Sequence, residues 1–491
     1  MKRFLAALVG ALVAAGAAAA ATPDLAKMSP AELAAFMTAF PKGGELHNHL
    51  GGGTPAEDIL TWAVEDGLCV DMVELAIRGA GPCTADNLKP AAAVAGDEAL
   101  RSALIDSLTV RHPGFRDRSG HDQFFSAFAR RSVLPRRGGD ALAETLDGLA
   151  RQNTFYAELM VSPQVGTSRG LGARVGWRGD PAATRAALSE AGLEKLVPAV
   201  SADTDALEAR ARQVMKCGAP AAHGGCQVTV RFLFQALRQG PPEQTMAQLQ
   251  LAVAVIQADK RWVGLQLVAP EDSYDATRYY DLHMHMVDLL TDHGRKVPVA
   301  LHAGEVTLKL VAPAEVSHRV RDAVEIAGAR RIGHGTDLPL ETGAAQLAAE
   351  MAAKGVLVEV NLLSNQAILE IDPKDHPYAW LRKMGVPASL STDDAGISRS
   401  ELAGDYAAAV RNGATYDDLK TSARNAIAFS FLPGEGLWAD PNSYRRPVAA
   451  CAGQIGAETP HGACAELVAR SDKAREQWRH ERLLKAFEAA R

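Results

Sequence analysis

Eight short runs of β-branched and aliphatic residues, set apart by Ala- and Leu-rich stretches of helical character, constrain this chain more than any other feature. The runs are ELHNHL (45–50), FYAELMVS (155–162), QVTVRFLF (227–234), VGLQLV (263–268), VPVALHAGE (297–305), RIGHG (331–335), VLVEVNLL (356–363) and VPASLSTDD (386–394). Between them lie helix-like segments such as 181–195, 243–258, 276–292, 315–328 and 343–354. Several runs are apolar on both faces, as parallel strands covered by helices must be. Eight strands with intervening helices is the count of a (β/α)8 TIM barrel, an α/β fold. An open doubly wound sheet is the alternative, but no G-x-G-x-x-G follows the first run to support it.

One connection is far too long for such a barrel. Gly51 to Asn153 spans the first crossover, whereas a βα loop ordinarily needs only about 2–6 residues. With helix-like stretches at 57–65, 94–108 and 140–151, the segment at about 51–153 reads as a helical insertion folding over the C-terminal mouth of the barrel. It suits a lid, a dimer interface or both, and the oligomeric state stays open, a homodimer included. From about 398 onwards the chain reads as a largely helical extension.

The first 21 residues stand apart. Lys2 and Arg3 precede an apolar run to about Ala18, and small residues then offer A-x-A cleavage sites. This is the pattern of a secretory signal peptide, so residues 22–491 are expected as one exported barrel domain, periplasmic or secreted. The run falls short of the roughly 20 apolar residues of a membrane span, and no membrane association is expected once it is removed. Its loss takes the net charge from −6 to −8, which argues against nucleic acid as a partner. The compartment permits disulfides. Nearest-neighbour pairing gives Cys69–Cys83, Cys217–Cys226 and Cys451–Cys464, among 15 arrangements open to six cysteines.

In a parallel barrel all strands end at one face, so strand-end residues distant in sequence converge there. His47 and His49 end the first run, His302 and Glu305 the fifth, His334 the sixth, and Asp393 and Asp394 the eighth. On a strand, residues i and i+2 share a face, so His47 and His49 can grip one ion together. The other His-x-His pair, His283 and His285, lies in a helical stretch where i and i+2 diverge, and reads as packing or surface. Three imidazoles (His47, His49, His302) and the carboxylate of Asp393 suit Zn2+ with a position left for water. Such an ion brings the pKa of bound water towards about 7. His334 and Glu305 are the candidate acid–base groups. Blander readings stay open: His334 as a turn residue between glycines, Glu305 as a helix cap, and Asp394 as an N-cap.

PKGGELHNHLGG, LHAGE, RIGHGTDL, VEVNLLSNQAI and HPYAWLRKMGVPASLSTDDAGI together resemble the adenosine deaminase family, in order and spacing, over roughly residues 40–410. The leader and long insertion resemble its secreted, growth-factor-related branch. The resemblance implies one zinc ion per chain, held by His47, His49, His302 and Asp393. It implies that Glu305 gives a proton to purine N1, that His334 and Asp393 orient the attacking hydroxide at C6, and that Asp394 bonds N7. Backbone at Ala269 and Gly304 would contact the purine. The implied reaction takes adenosine or 2′-deoxyadenosine to inosine or 2′-deoxyinosine plus ammonia.

Two positions depart from the family pattern. Gly51 stands where the family has an aspartate that contacts the sugar 5′-hydroxyl, and Ala269-Pro270 stands where the loop after strand four has glycine. The loss at Gly51 opens the alternatives of free adenine or a 5′-modified adenosine such as methylthioadenosine. A non-catalytic binding or signalling protein on the same scaffold predicts broken ligands, and none is broken here.

Overall fold

The computed structural model describes residues 22–111, 118–133 and 136–491. The leader expected at 1–21 lies outside the described residues. The chain enters through a helix, Pro30–Ala39, whose start obeys the sequence. Ser29 caps it, Pro30 takes the first position, and Glu32 returns the bond to the Ser29 backbone, closing a capping box. The helix delivers the chain to the first strand, β1 (Gly43–His49).

The other barrel strands are β5 (Thr154–Val161), β6 (Thr229–Leu237), β7 (Trp262–Val268), β8 (Val299–Ala303), β9 (Arg331–His334), β10 (Leu357–Val360) and β11 (Ala388–Leu390). They pair in parallel in the order β1-β5-β6-β7-β8-β9-β10-β11. Asn48 bridges Asp393, whose N–H donates to the His47 carbonyl at 2.8 Å, so the last strand's exit meets the first. Thus all eight runs become strands of a (β/α)8 barrel. The open-sheet alternative is set aside by that closing contact.

The barrel interior is polar below the mouth. Glu158 and Glu359 flank Arg331, all three with no exposed surface. The Arg331 guanidinium also lies 4.0 Å over the Phe431 ring, which plugs the bottom. Buried charges persist only when paired and hydrogen-bonded, and these are.

The insertion after β1 carries the expected helices, Ala56–Glu65, Glu98–Ser107 and Gly138–Arg151, the middle one broken from Ala91–Gly96 at Asp97. It also carries a small antiparallel sheet absent from the sequence reading, β2 (Leu68–Asp71), β3 (Ala76–Ala80) and β4 (Leu88–Pro90), in the order β3-β2-β4. The insertion is therefore mixed rather than helical, with its own core around Ile59, Val70, Ile77 and Leu104. The C-terminal region holds helices Leu402–Arg411, Tyr416–Ala428, Gly462–Arg470 and Asp472–Ala489. The stretch between the second and third of these is mostly irregular, again less helical than expected. Disulfides join Cys69 to Cys83, Cys217 to Cys226 and Cys451 to Cys464. No helix among the described residues is long and apolar enough to cross a membrane.

Candidate active site

The mouth of the barrel gathers the strand-end residues. His47 and His49 leave β1 on one face, His302 comes from β8, and Asp393 follows β11. One ligand atom from each of the four lies within 4.8 Å of all the others. His49 Nε2 stands 3.2 Å from His302 Nε2 and 3.1 Å from Asp393 Oδ1. His47 Nε2 is 3.6 Å from the same oxygen.

The partners behind the imidazoles decide what the cluster can hold. His47 Nδ1 donates to Glu359 at 2.6 Å, His49 Nδ1 to Gln235 at 2.8 Å, and His302 Nδ1 to Gln266 at 3.0 Å. Each outer bond fixes the proton on Nδ1 and turns an Nε2 lone pair inward, the arrangement of a metal-ligating histidine. Two such lone pairs facing at 3.2 Å beside a carboxylate repel unless a cation lies among them. His47 Nε2 is fully buried and has no hydrogen-bond partner among the described residues. Burial opposes protonation of His47, yet Asp393 and Glu359 push its pKa up to about 10, so the surroundings call for positive charge there. The donor set fits a divalent cation.

Glu305, two residues past β8, points into the same space. Burial, with Asp393 and Glu271 adding to it, raises its carboxyl well above the usual carboxylate range. Its Oε1 has no hydrogen-bond partner among the described residues and lies 3.5 Å from His334 Nδ1. No helix follows it closely, which removes the helix-cap reading. Asp394 stands at the N-cap position of the short helix Ala395–Ser398, but its side chain makes no cap bond. Burial, aided by Asp393 and opposed by His49, lifts its pKa to about 8. His334 does occupy a left-handed turn at φ +70°. Its Nδ1 faces the Asn365 amide at 2.9 Å and that of Asn361 at 3.3 Å. Those donors leave the proton on Nε2. Burial, with His47 next, holds its pKa well below the ordinary value.

A cavity of about 370 Å3 opens onto His49, His302, Glu305, Asp393 and Asp394. Phe124, Phe125 and Phe128, on the insertion helix Gly120–Phe128, form its apolar wall. Ala269 and Pro270 line it from the loop after β7. Ala269 sits at φ +109°, a conformation that favours glycine and costs an L residue about 1–3 kcal/mol. Gly304 does not line the cavity. Its N–H donates to Glu271 Oε1 at 3.1 Å, and a Cβ there would fall 2.1 Å from Asp337 Oδ1. Its backbone shapes the loop that carries Glu305.

The residues that sequence reasoning missed are these outer partners and the aromatic wall. Glu271 is the chief omission. It accepts the N–H of both Gly304 and Glu305 (2.8 Å), and Arg319 pairs with it at 3.2 Å and Arg238 at 3.8 Å. His283 and His285 stay out of the site. His283 is buried on helix Tyr280–Thr291 and His285 is exposed.

The adenosine deaminase family model matches residues 139–437, more than half of the chain. The chain belongs to the adenosine deaminase family. Such enzymes are hydrolytic deaminases of cyclic amidines, and so is this one. His47 and His49 lie before the matched span, so their place in the site rests on the geometry above. The chain is 26% identical over 405 residues to an adenine deaminase of Sinorhizobium fredii (strain NBRC 101917 / NGR234), covering 81% of this chain and 96% of that protein. It is 25% identical over 301 residues to an adenosine deaminase of Mycobacterium sp. (strain KMS), covering 59% and 70%. Among solved structures, a zinc-bound amidohydrolase from Burkholderia ambifaria superposes with a TM-score of 0.55 at 18% identity, covering 83% of this chain and 90% of that one. Arabidopsis ADAL complexed with GMP gives 0.53 at 19%, covering 81% and 94%. At these identities the structural likeness speaks for the barrel fold alone.

Proposed function

We propose that this deaminase acts on adenosine and 2′-deoxyadenosine, giving inosine and 2′-deoxyinosine plus ammonia, with one zinc ion per chain at His47, His49, His302 and Asp393. The observation that carries the reading is Glu305: a buried carboxyl with a raised pKa and an unpartnered oxygen, in one cavity with the cation-seeking cluster. A zinc hydrolase of amides or esters has no use for an acid placed against a ring nitrogen.

The ion, when bound, supplies Lewis acidity that makes water acidic near neutrality. The chain's own groups do the rest. Glu305, whose burial lifts its carboxyl well above the usual carboxylate range and so favours the protonated form, gives its proton to purine N1 and draws electron density from C6. His334 offers its Nε2–H to the incoming oxygen and holds it on one face of the ring. Asp394, protonated near neutrality, donates to N7. The water oxygen joins C6, the C6–N bond breaks, and the amine leaves as ammonia carrying one proton from the water while the other returns to Glu305. The phenylalanine wall keeps bulk water from the ring, which strengthens each of these bonds.

The relatives favour a second reading, free adenine, because adenine deaminases match over 81% of the chain. Loss of ultraviolet absorbance from adenosine, read with zinc-loaded protein beside adenine, separates the two. Glu305→Gln is expected to lower turnover at least about 100-fold, in line with the worth of a general acid. Turnover of adenine alone would replace adenosine as the substrate, and an active Glu305→Gln would sink the assigned proton donor.

We also infer export to the periplasm or medium. The leader pattern at 1–21 and the pairing of all six cysteines support that reading.

A further inference from the structure

A second cavity, of about 410 Å3, adjoins the first and shares His49, Phe128, Ser162 and Gln235 with it. Its remaining wall is apolar: Leu50, Gly51 and Gly52 after β1, Ala141 on helix Gly138–Arg151, Met160 on β5, and Leu207 on helix Val197–Val214. Neither cavity is lined by a lysine or arginine among the described residues. The nearby guanidinium of Arg131 lines neither cavity, its Nη1 and Nη2 donating to the carbonyls of Gly51, Gly52 and Thr54.

The cavities meet at His49, Phe128, Ser162 and Gln235, and Asp394 of the first packs against Gly52 of the second. Gly52 lies so close that a Cβ on it would fall 1.6 Å from Asp394 Oδ1, and Gly52 lines the second cavity. A purine with C6 at the cation cluster and N7 at Asp394 therefore presents its five-membered ring towards Gly52. The N9 substituent then leaves the first cavity in the direction of the second. That orientation rests on the deaminase reading proposed above.

We propose that the second cavity is a substrate subsite for an uncharged, apolar group at the far end of the N9 substituent, so that the preferred substrate is an adenine nucleoside with an apolar 5′ group. The walls argue for this occupant over the others. A 5′-phosphate entering here loses its water and meets no cation, which is costly for a buried charge. A 5′-hydroxyl meets few partners beyond Ser162 and Gln235 at the threshold. Free adenine leaves the whole space unfilled. An alkylthio or alkyl group buries its surface against Leu50, Met160 and Leu207 and strands no polar atom.

The test compares kcat/KM of the zinc-loaded protein on four compounds: adenine, adenosine, 5′-deoxy-5′-methylthioadenosine and adenosine 5′-monophosphate. The methylthio compound is expected to exceed adenosine by at least about tenfold, the usual worth of an added apolar group in a matching pocket, and the monophosphate is expected last among the nucleosides. Two substitutions on separate elements guard the result. Gly51→Asp places a carboxylate where a Cβ has no neighbour within 4 Å, and should shift the ratio at least about tenfold towards adenosine. Leu207→Lys brings a cation to the far wall and should raise the monophosphate relative to the methylthio compound. Methylthioadenosine turning over no faster than adenosine or adenine, or a preference unmoved by both substitutions, overturns the subsite while leaving the deaminase reading intact. No turnover of any of the four overturns the deaminase reading and the subsite with it.

Discussion

Glu359→Gln isolates the support behind one ligand without touching the cavity. Glu359 sits in β10 with no exposed surface. One carboxylate oxygen accepts from His47 Nδ1 at 2.6 Å and Gln266 Nε2 at 3.4 Å; the other accepts from Arg331 Nε at 2.6 Å. Burial works against its charge, and Arg331 and His47 overcome that to hold its pKa below the ordinary value. Glutamine keeps the shape but has a single acceptor oxygen, so either His47 or Arg331 must face an N–H. The lost charge-assisted bond is worth about 1.5–3 kcal/mol. In metal affinity, loss of an outer partner costs about 10–100-fold, or roughly 1.4–2.8 kcal/mol, so the two figures agree. Competition against a chelator of known affinity reads the dissociation constant of the bound divalent cation. Melting curves of the chelated variant separate that effect from general destabilisation through Arg331. A dissociation constant within about threefold of the native value, well under the lower bound above, would refute the claim that Glu359 sets His47 up as a ligand.

Gly304→Ala is expected to lower kcat sharply, because position 304 has φ +79° and its Cβ would collide with Asp337; the left-handed strain alone is about 1–3 kcal/mol, readable as a lower urea midpoint. His480, buried with its Nε2–H on the Pro41 carbonyl at 3.0 Å, has its pKa lowered to about 4 by burial. The folded state keeps it neutral while the unfolded chain takes up a proton near pH 6.5. Its contribution is therefore intact above that value and lost as pH falls towards 4, about 2 kcal/mol of it by pH 5. Urea melts at pH 7 and pH 5 should show that loss, and His480→Gln should shrink it; an unchanged slope removes His480 as its source. Replacing Cys69 and Cys83 with serine opens a loop with a sequence separation of 14, worth about 3 kcal/mol. Limited proteolysis should then cut the insertion first, and equal protection of native and variant would refute a local role for that bridge.

The barrel was legible because its strands are buried on both faces, which leaves β-branched runs with little polar interruption. The ligands were legible for a related reason. Period-2 spacing at a strand end fixes which side chains share a face, and parallel strands bring their ends together. The small sheet β3-β2-β4 was not legible, since its strands are three to five residues long, lack apolar–polar alternation, and β2 and β3 are joined by MVEL (72–75), which holds none of the usual turn residues. The outer partners were missed although a signal existed. Glu158, Gln266 and Glu359 each interrupt a mostly apolar strand and Arg331 opens one, and a polar group inside such a strand must be answered from across the barrel. Which group answers which depends on barrel stagger, and no single strand encodes that. Phe124, Phe125 and Phe128 read as an ordinary apolar helix face until the barrel mouth supplies what lies opposite.

The seam between the first and last strands gives the metal centre a place in the life of the chain. His47 and His49 are made early; Asp393, the carboxylate they face across the Asn48–Asp393 bridge, is made near the end. A ribosome-bound fragment lacks the complete donor set, however well its early helices form, and the slow non-local closure of the barrel has to come first. Uptake of a divalent cation at this cluster would thus mark a finished molecule, and a chain cut short before residue 393 would carry its histidines with nothing to close them around.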